Sequence, residues 1–140
     1  MPYEFVAVFE KKENAFIGYV EEIPGINLQG QTLEATRQDL KEAIELLSAA
    51  AKAVADQKVL KARPRGMVGG PRGVGSMDAN LTKHLLRQGC ILHRKGKKYS
   101  VYIHPHSGKI STVPRLRNIE NSLAQKICSD LGIPESPNFS

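Results

Sequence analysis

"GCILHRKGKKYSVYIHPHSGKISTVPRLR", Gly89 to Arg117, decides how the second half of the chain folds. Three runs with apolar alternation, "CILHR", "YSVYIH" and "KISTV", are separated by "KGKK" and "PHSG". Gly, Pro and Ser at those breaks favour turns, so the spacing predicts three strands joined by two hairpins. The stretch also holds seven Lys/Arg, three of the chain's four histidines and no acid.

Helices flank it. In "ANLTKHLLRQ" Leu81 and Leu85 stand one turn apart, Asp78 is placed to cap the start, and Gly89 takes the C′ position. Downstream, Asn118 is placed to cap a helix whose core face is Ile119, Leu123, Ile127 and Leu131, ended by Gly132 and Pro134. Residues 77–140 therefore read α-β-β-β-α, the order of small double-stranded-RNA-binding-like folds.

The front reads differently. "YEFVAVFE" alternates with Tyr3, Phe5, Ala7 and Phe9 on one face, and "NAFIGYVEEI" follows after a tight turn at Glu13-Asn14. Pro24-Gly25 marks another turn before a short third strand, "INLQG". From Thr32, an N-cap, a long helix runs with Leu33, Leu40, Ile44, Leu47, Ala51 and Val54 as its stripe. Residues 1–60 thus form a three-stranded antiparallel sheet with one helix, and the whole chain is α+β. Between the halves, residues 61–76 carry five glycines and two prolines and read as a linker. Its last residues with Met77, "GSM", have the look of an engineered join before a start methionine.

Charge separates the halves. The net of +6 divides into −1 over residues 1–65 and +7 over residues 66–140, and Lys83 to Arg117 holds nine Lys/Arg without an acid. Such segregation points to an anionic partner for the back half, nucleic acid above all. No run is apolar and long enough for a membrane span, and the start lacks a signal-peptide pattern, which sets the expectation of a cytoplasmic protein. Cys90 and Cys128 fit no metal or redox spacing and read as buried core thiols. No metal or other cofactor is expected: His104-Pro105-His106 has no Cys or carboxylate beside it.

Each half resembles a known family. "FIGYVEEIPGINLQGQTLEATRQDLKEAIELL" resembles the HicB antitoxins over about residues 3–55, through Pro24-Gly25, Gly30, Thr32, Glu42 and Ala43. Residues 78–134 resemble the HicA messenger-RNA-cleaving toxins, through "LLRQGC", "HRKG", "YIHPHSGKISTVP" and "LGIP". The resemblance implies that the front masks an RNA-facing back, within one chain or swapped between two, in a homo-oligomer. A coil of about fifteen residues spans ~20 Å, enough for millimolar effective concentration. Glu10, Glu13, Glu21 and Glu22 are the expected acidic partners of the basic cluster.

The resemblance also implies a catalytic histidine, which this chain lacks. Aligned on Tyr102 and His104-Pro105, Tyr99 stands at that position; aligned on Gly96, Lys98 does. Metal-free RNA cleavage needs a base for the ribose 2′-hydroxyl near neutral pH, and histidine suits. A free tyrosine, with pKa near 10, is ionised in only about one part in a thousand at pH 7. The expectation is therefore an RNA grip without its base, made by Lys95, Lys97, Lys98, Tyr99, His104, Lys109, Arg115 and Arg117. Cations would take phosphates, and Tyr99 would stack on bases. Tyr102 reads as core. Two alternatives stand: an active endoribonuclease using Tyr99 or His104, and an interaction or regulatory module with no RNA ligand.

Overall fold

The computed structural model describes residues 6–56, 79–116 and 118–135. Its fold is α+β, with two three-stranded antiparallel sheets and three helices among the described residues. The first sheet is β1 (Ala7–Lys11), β2 (Phe16–Val20) and β3 (Ile23–Gly30), followed by α1 (Leu33–Ala55). After α2 (Ala79–Arg87) comes the second sheet, β4 (Ile91–Lys95), β5 (Tyr99–His104) and β6 (Lys109–Pro114), and then α3 (Asn121–Leu131). The segment expected to be a linker, the Asp78 cap and Arg117 lie outside the described residues, as do Tyr3 and Phe5.

Side-chain burial joins the halves. Val20, Ile26 and Leu28 of the first sheet share one apolar cluster with Tyr99, Val101 and Ile103 of β5, all roofed by Ala43, Leu46, Leu47 and Ala50 of α1. On the opposite side Ile17, Tyr102 and Val113 pack with Leu81 and Leu85 of α2 and Leu123, Ile127 and Leu131 of α3. Tyr102 is thus a core residue. Alternation along β5 sends Tyr99, Val101 and Ile103 one way and Tyr102 the other, as the two-residue period of a strand requires.

The two sheets abut along β3 and β6, and side chains bridge the seam. Thr112 Oγ1 accepts the Asn27 N–H at 2.9 Å, while its own proton faces the Asn27 and Gly25 carbonyls at 2.9 and 3.2 Å. Asn27 Nδ2 donates to Ser111 Oγ (2.9 Å) and to Asp130 Oδ2 (3.0 Å), which also takes the Gly25 N–H and the Lys126 ammonium. Gly25 has φ +103°, and a Cβ there would stand 2.5 Å from the Ile110 carbonyl oxygen, so only glycine fits.

Three local expectations change. Pro24-Gly25 is not a turn: Glu21-Glu22 turns the chain, and Pro24-Gly25 lies inside β3, where pairing jumps from Tyr19–Asn27 to Val20–Ile23. Bulging there presents the Gly25 carbonyl to Thr112. Of the expected α1 stripe, Leu40, Ile44, Leu47 and Val54 pack in or against the core while Leu33 and Ala51 are exposed; the most buried face adds Thr36, Asp39, Ala43, Leu46 and Ala50. Finally, α3 starts at Asn121 rather than after Asn118. Gln29 of β3 spans its entry, donating Nε2 to the Asn118 carbonyl and accepting the Glu120 N–H through Oε1, each at 2.9 Å. Other local readings hold: Thr32 Oγ1 caps α1 through Ala35 N, and Gly89 and Gly132 adopt left-handed φ where α2 and α3 end.

Thr112→Val would strand the buried Asn27 N–H, a loss of about 1–3 kcal/mol in chemical denaturation, while Thr112→Ser would retain most of the wild-type stability.

Candidate functional site

The expected grip residues divide between the two ends of the second sheet. Lys95, Lys97, Lys98 and Tyr99 form the β4–β5 turn, and Arg115 joins them: its N–H donates to the Lys98 carbonyl (2.8 Å), and Nη1 donates to the Gly96 and Lys97 carbonyls (2.6 and 3.2 Å). His104 and Lys109 pair at the far end of β5, five residues or ~17 Å away along the strand. There His104 Nδ1 meets Ser107 Oγ at 3.0 Å, and His106 lies edge-on to the His104 ring. The residues expected to act as one patch make two.

The acids that meet the turn come from α1. Asp39 Oδ1 pairs with Lys98 Nζ at 3.3 Å, and its Oδ2 accepts the Tyr99 hydroxyl proton at 2.8 Å. Glu42, one helical turn on, accepts the Lys98 N–H at 3.1 Å and the Tyr99 N–H at 3.4 Å through Oε2. Spacing of three residues puts both carboxylates on the same face. Glu10 instead pairs with Lys12 and accepts from Tyr19, and Glu22 takes the Val6 N–H. Glu13 and Glu21 are exposed. In sequence, Asp39 is easily passed over because an acid inside a helix looks like a solvated charge; the Thr36/Asp39/Ala43 spacing is the available signal.

Tyr99 is enclosed. Its ring is 1% exposed, and its hydroxyl also stands 3.1 Å from the Gln29 N–H and 3.2 Å from the Gln29 carbonyl. In this arrangement its face offers no platform for base stacking. Burial raises the phenol far above the ordinary tyrosine range; the Gln29 N–H opposes this, and the Asp39 carboxylate reinforces it. Burial and the raised pKa both disfavour the phenolate that a general base requires. Lys98, the other residue that the resemblance would align with a catalytic histidine, keeps 62% of its side chain exposed, against 6% for Asp39. Lys95 and Lys97 are likewise exposed. What α1 covers is Tyr99 and the turn's amides, not the lysine heads.

Elsewhere, the Cys90 and Cys128 thiols are free and buried, and burial pushes them up to about 12 and about 11, so neither is nucleophilic at neutral pH. Burial, with Arg94 beside it, lowers the His93 imidazole, which favours its neutral form. Among the described residues no group of three His, Cys, Asp or Glu could hold a metal, and no helix is long and apolar enough to cross a membrane. No family model, curated protein or solved structure matches this chain.

Tyr99 supplies a pH test. Because its folded-state pKa lies above the unfolded value near 10, its protonated form contributes stability in full below pH 10. That contribution is lost as pH climbs through the folded value. Denaturation from pH 9 upward should show a steeper fall for wild type than for Tyr99→Phe, the variant being less stable at pH 7 by about 1–3 kcal/mol.

Proposed function

We propose that the chain is a fused, self-masked, HicB/HicA-like protein of the cytoplasm, in which α1 covers a basic RNA-facing turn that has lost its catalytic base. One observation carries the reading: Asp39 and Glu42 of the front half engage Lys98 and Tyr99, the two positions where the family's histidine would fall. The β-β-β-α and α-β-β-β-α element orders agree with the HicB-like and double-stranded-RNA-binding-like arrangements. The mask is intramolecular in this reading. RNA meets the exposed Lys95, Lys97 and Lys98 first, and the covered amides limit how closely a strand can settle.

A second reading draws on the shared core. Parting the halves would expose Val101 and Ile103 of β5 together with Ile26 and Leu28 of β3. Complete burial of one such side chain is worth about 1.5–3 kcal/mol. A body so interlocked would suit a permanent interaction or regulatory module with no RNA ligand.

RNA titration of the intact chain separates the two readings. On the first, Asp39→Asn/Glu42→Gln binds a single-stranded RNA about tenfold more tightly than wild type at low salt. Replacing Lys95, Lys97 and Lys98 by alanine flattens the salt slope by about 0.7 for each phosphate no longer neutralised. If no protein binds RNA at low salt, the interaction-module reading prevails.

A further inference from the structure

The Glu42 carboxylate is held in an unusual way for a surface glutamate. Among the described residues it is received by backbone and not by a lysine ammonium. The Lys98 and Tyr99 N–H groups converge on Oε2 at 3.1 and 3.4 Å, and Lys98 N–H also lies 3.4 Å from Oε1. Consecutive amides aimed at one point form a concavity with net positive potential, a geometry that receives anions of any kind. The carbonyls of the same turn point elsewhere: Arg115 takes those of Gly96 and Lys97, and the Tyr99 carbonyl accepts the Gly96 N–H at 2.7 Å. The Lys98 and Tyr99 N–H donors are what the carboxylate meets.

Residue 96 makes room for it. A Cβ on Gly96 would collide with Glu42 Oε2 and stand 2.8 Å from the Tyr99 carbonyl oxygen. The chain thus leaves out a side chain where the anion sits. Around the cradle are the exposed cations Lys97 and Lys98 and the half-buried Arg115, so its field favours an anion before any ligand arrives. Because Gly96 is half-buried and its neighbours are exposed, removing the Glu42 side chain would open the cradle to solvent without displacing α1.

We propose that the Gly96–Tyr99 turn is a phosphate-binding cradle and that Glu42 is its built-in occupant, a carboxylate standing where a phosphate group would sit. This rests on the reading of the turn as an RNA grip, and it gives that grip its central contact: two backbone N–H bonds to one phosphate oxygen, with Lys97 and Lys98 neutralising the rest. Carboxylate and phosphate oxygens accept the same amide donors at similar distances, so the exchange needs no remodelling of the turn. Asp39 stays beside the opened site and weakens binding of a second anion, so affinity for a lone phosphate is modest.

The test is an amide NMR titration of the intact chain with inorganic phosphate and, separately, with a short oligouridine. Glu42→Ala should show saturable shifts at the Lys98 and Tyr99 amides with inorganic phosphate. Wild type should show none at concentrations about tenfold higher. Glu42→Gln, which keeps the side chain's bulk but not its charge, should fall between them and decides the matter if the alanine variant does not fold. The same amides moving with oligouridine identifies a phosphodiester as the ligand; movement with inorganic phosphate alone identifies a free phosphate. Shifts missing from Lys98 and Tyr99 in both variants, or equal in wild type, overturn the proposal. RNA tightening in Asp39→Asn/Glu42→Gln without those shifts would keep the mask and reject the cradle. Phosphate shifts without any RNA binding would keep the cradle and reject the mask.

Discussion

Everything in this molecule follows from the burial of one face of β5 beneath α1. Within the second sheet Tyr99, Val101 and Ile103 have only the partly buried Ile91 and Ile110 packed against their cluster; Leu46, Leu47 and Ala50 cover them from the other half of the chain. Once that contact forms, β3 must lie beside β6, and Thr112, Ser111 and Asn27 complete the polar groups of the seam. The same contact brings the second and third turns of α1 over the β4–β5 turn. Asp39 and Glu42 are therefore delivered to Lys98 and Tyr99 by packing, and their hydrogen bonds then fix the register.

The energetics divide accordingly. Apolar burial supplies the magnitude, since several fully covered Ile, Leu and Val residues cross the junction. Polar contacts supply the specificity, because a buried Asp39 or Gln29 without its partner is costly. The Lys98–Asp39 pair adds little by itself: the lysine is largely solvated, and screening reduces what such a pair contributes. A junction built in this way is insensitive to salt at its core and sensitive to charge only at its rim, where Glu42 meets the turn.

Much of the fold is legible in the sequence, and the reasons are local. Alternation in "YSVYIH" separates Tyr99 from Tyr102 correctly, and the glycines at 89 and 132 mark helix ends through their left-handed φ. What escapes is set by the other half of the chain. Asn118 is a good cap residue, yet Gln29 serves the α3 entry from a distant strand. Pro24-Gly25 is a good turn, yet Thr112 and Asp130 draw it into a bulged strand. A stripe on α1 sought from apolar residues alone misses Thr36 and Asp39 on the buried face. For the site, the basic turn is readable from composition. That Tyr99 is sealed, that His104 and Lys109 stand at the opposite end, and that the acids come from α1 rather than from Glu10 or Glu22 all depend on tertiary packing.

Whether α1 holds the β4–β5 turn closed in solution can be read by residue-resolved amide hydrogen exchange. With the turn closed, Lys98 and Tyr99 exchange slowly in the wild-type chain. In Glu42→Ala exchange there becomes fast, while Val101 and Ile103, deeper under α1, stay protected. Fast exchange at Lys98 and Tyr99 in the wild-type chain would contradict the closed arrangement.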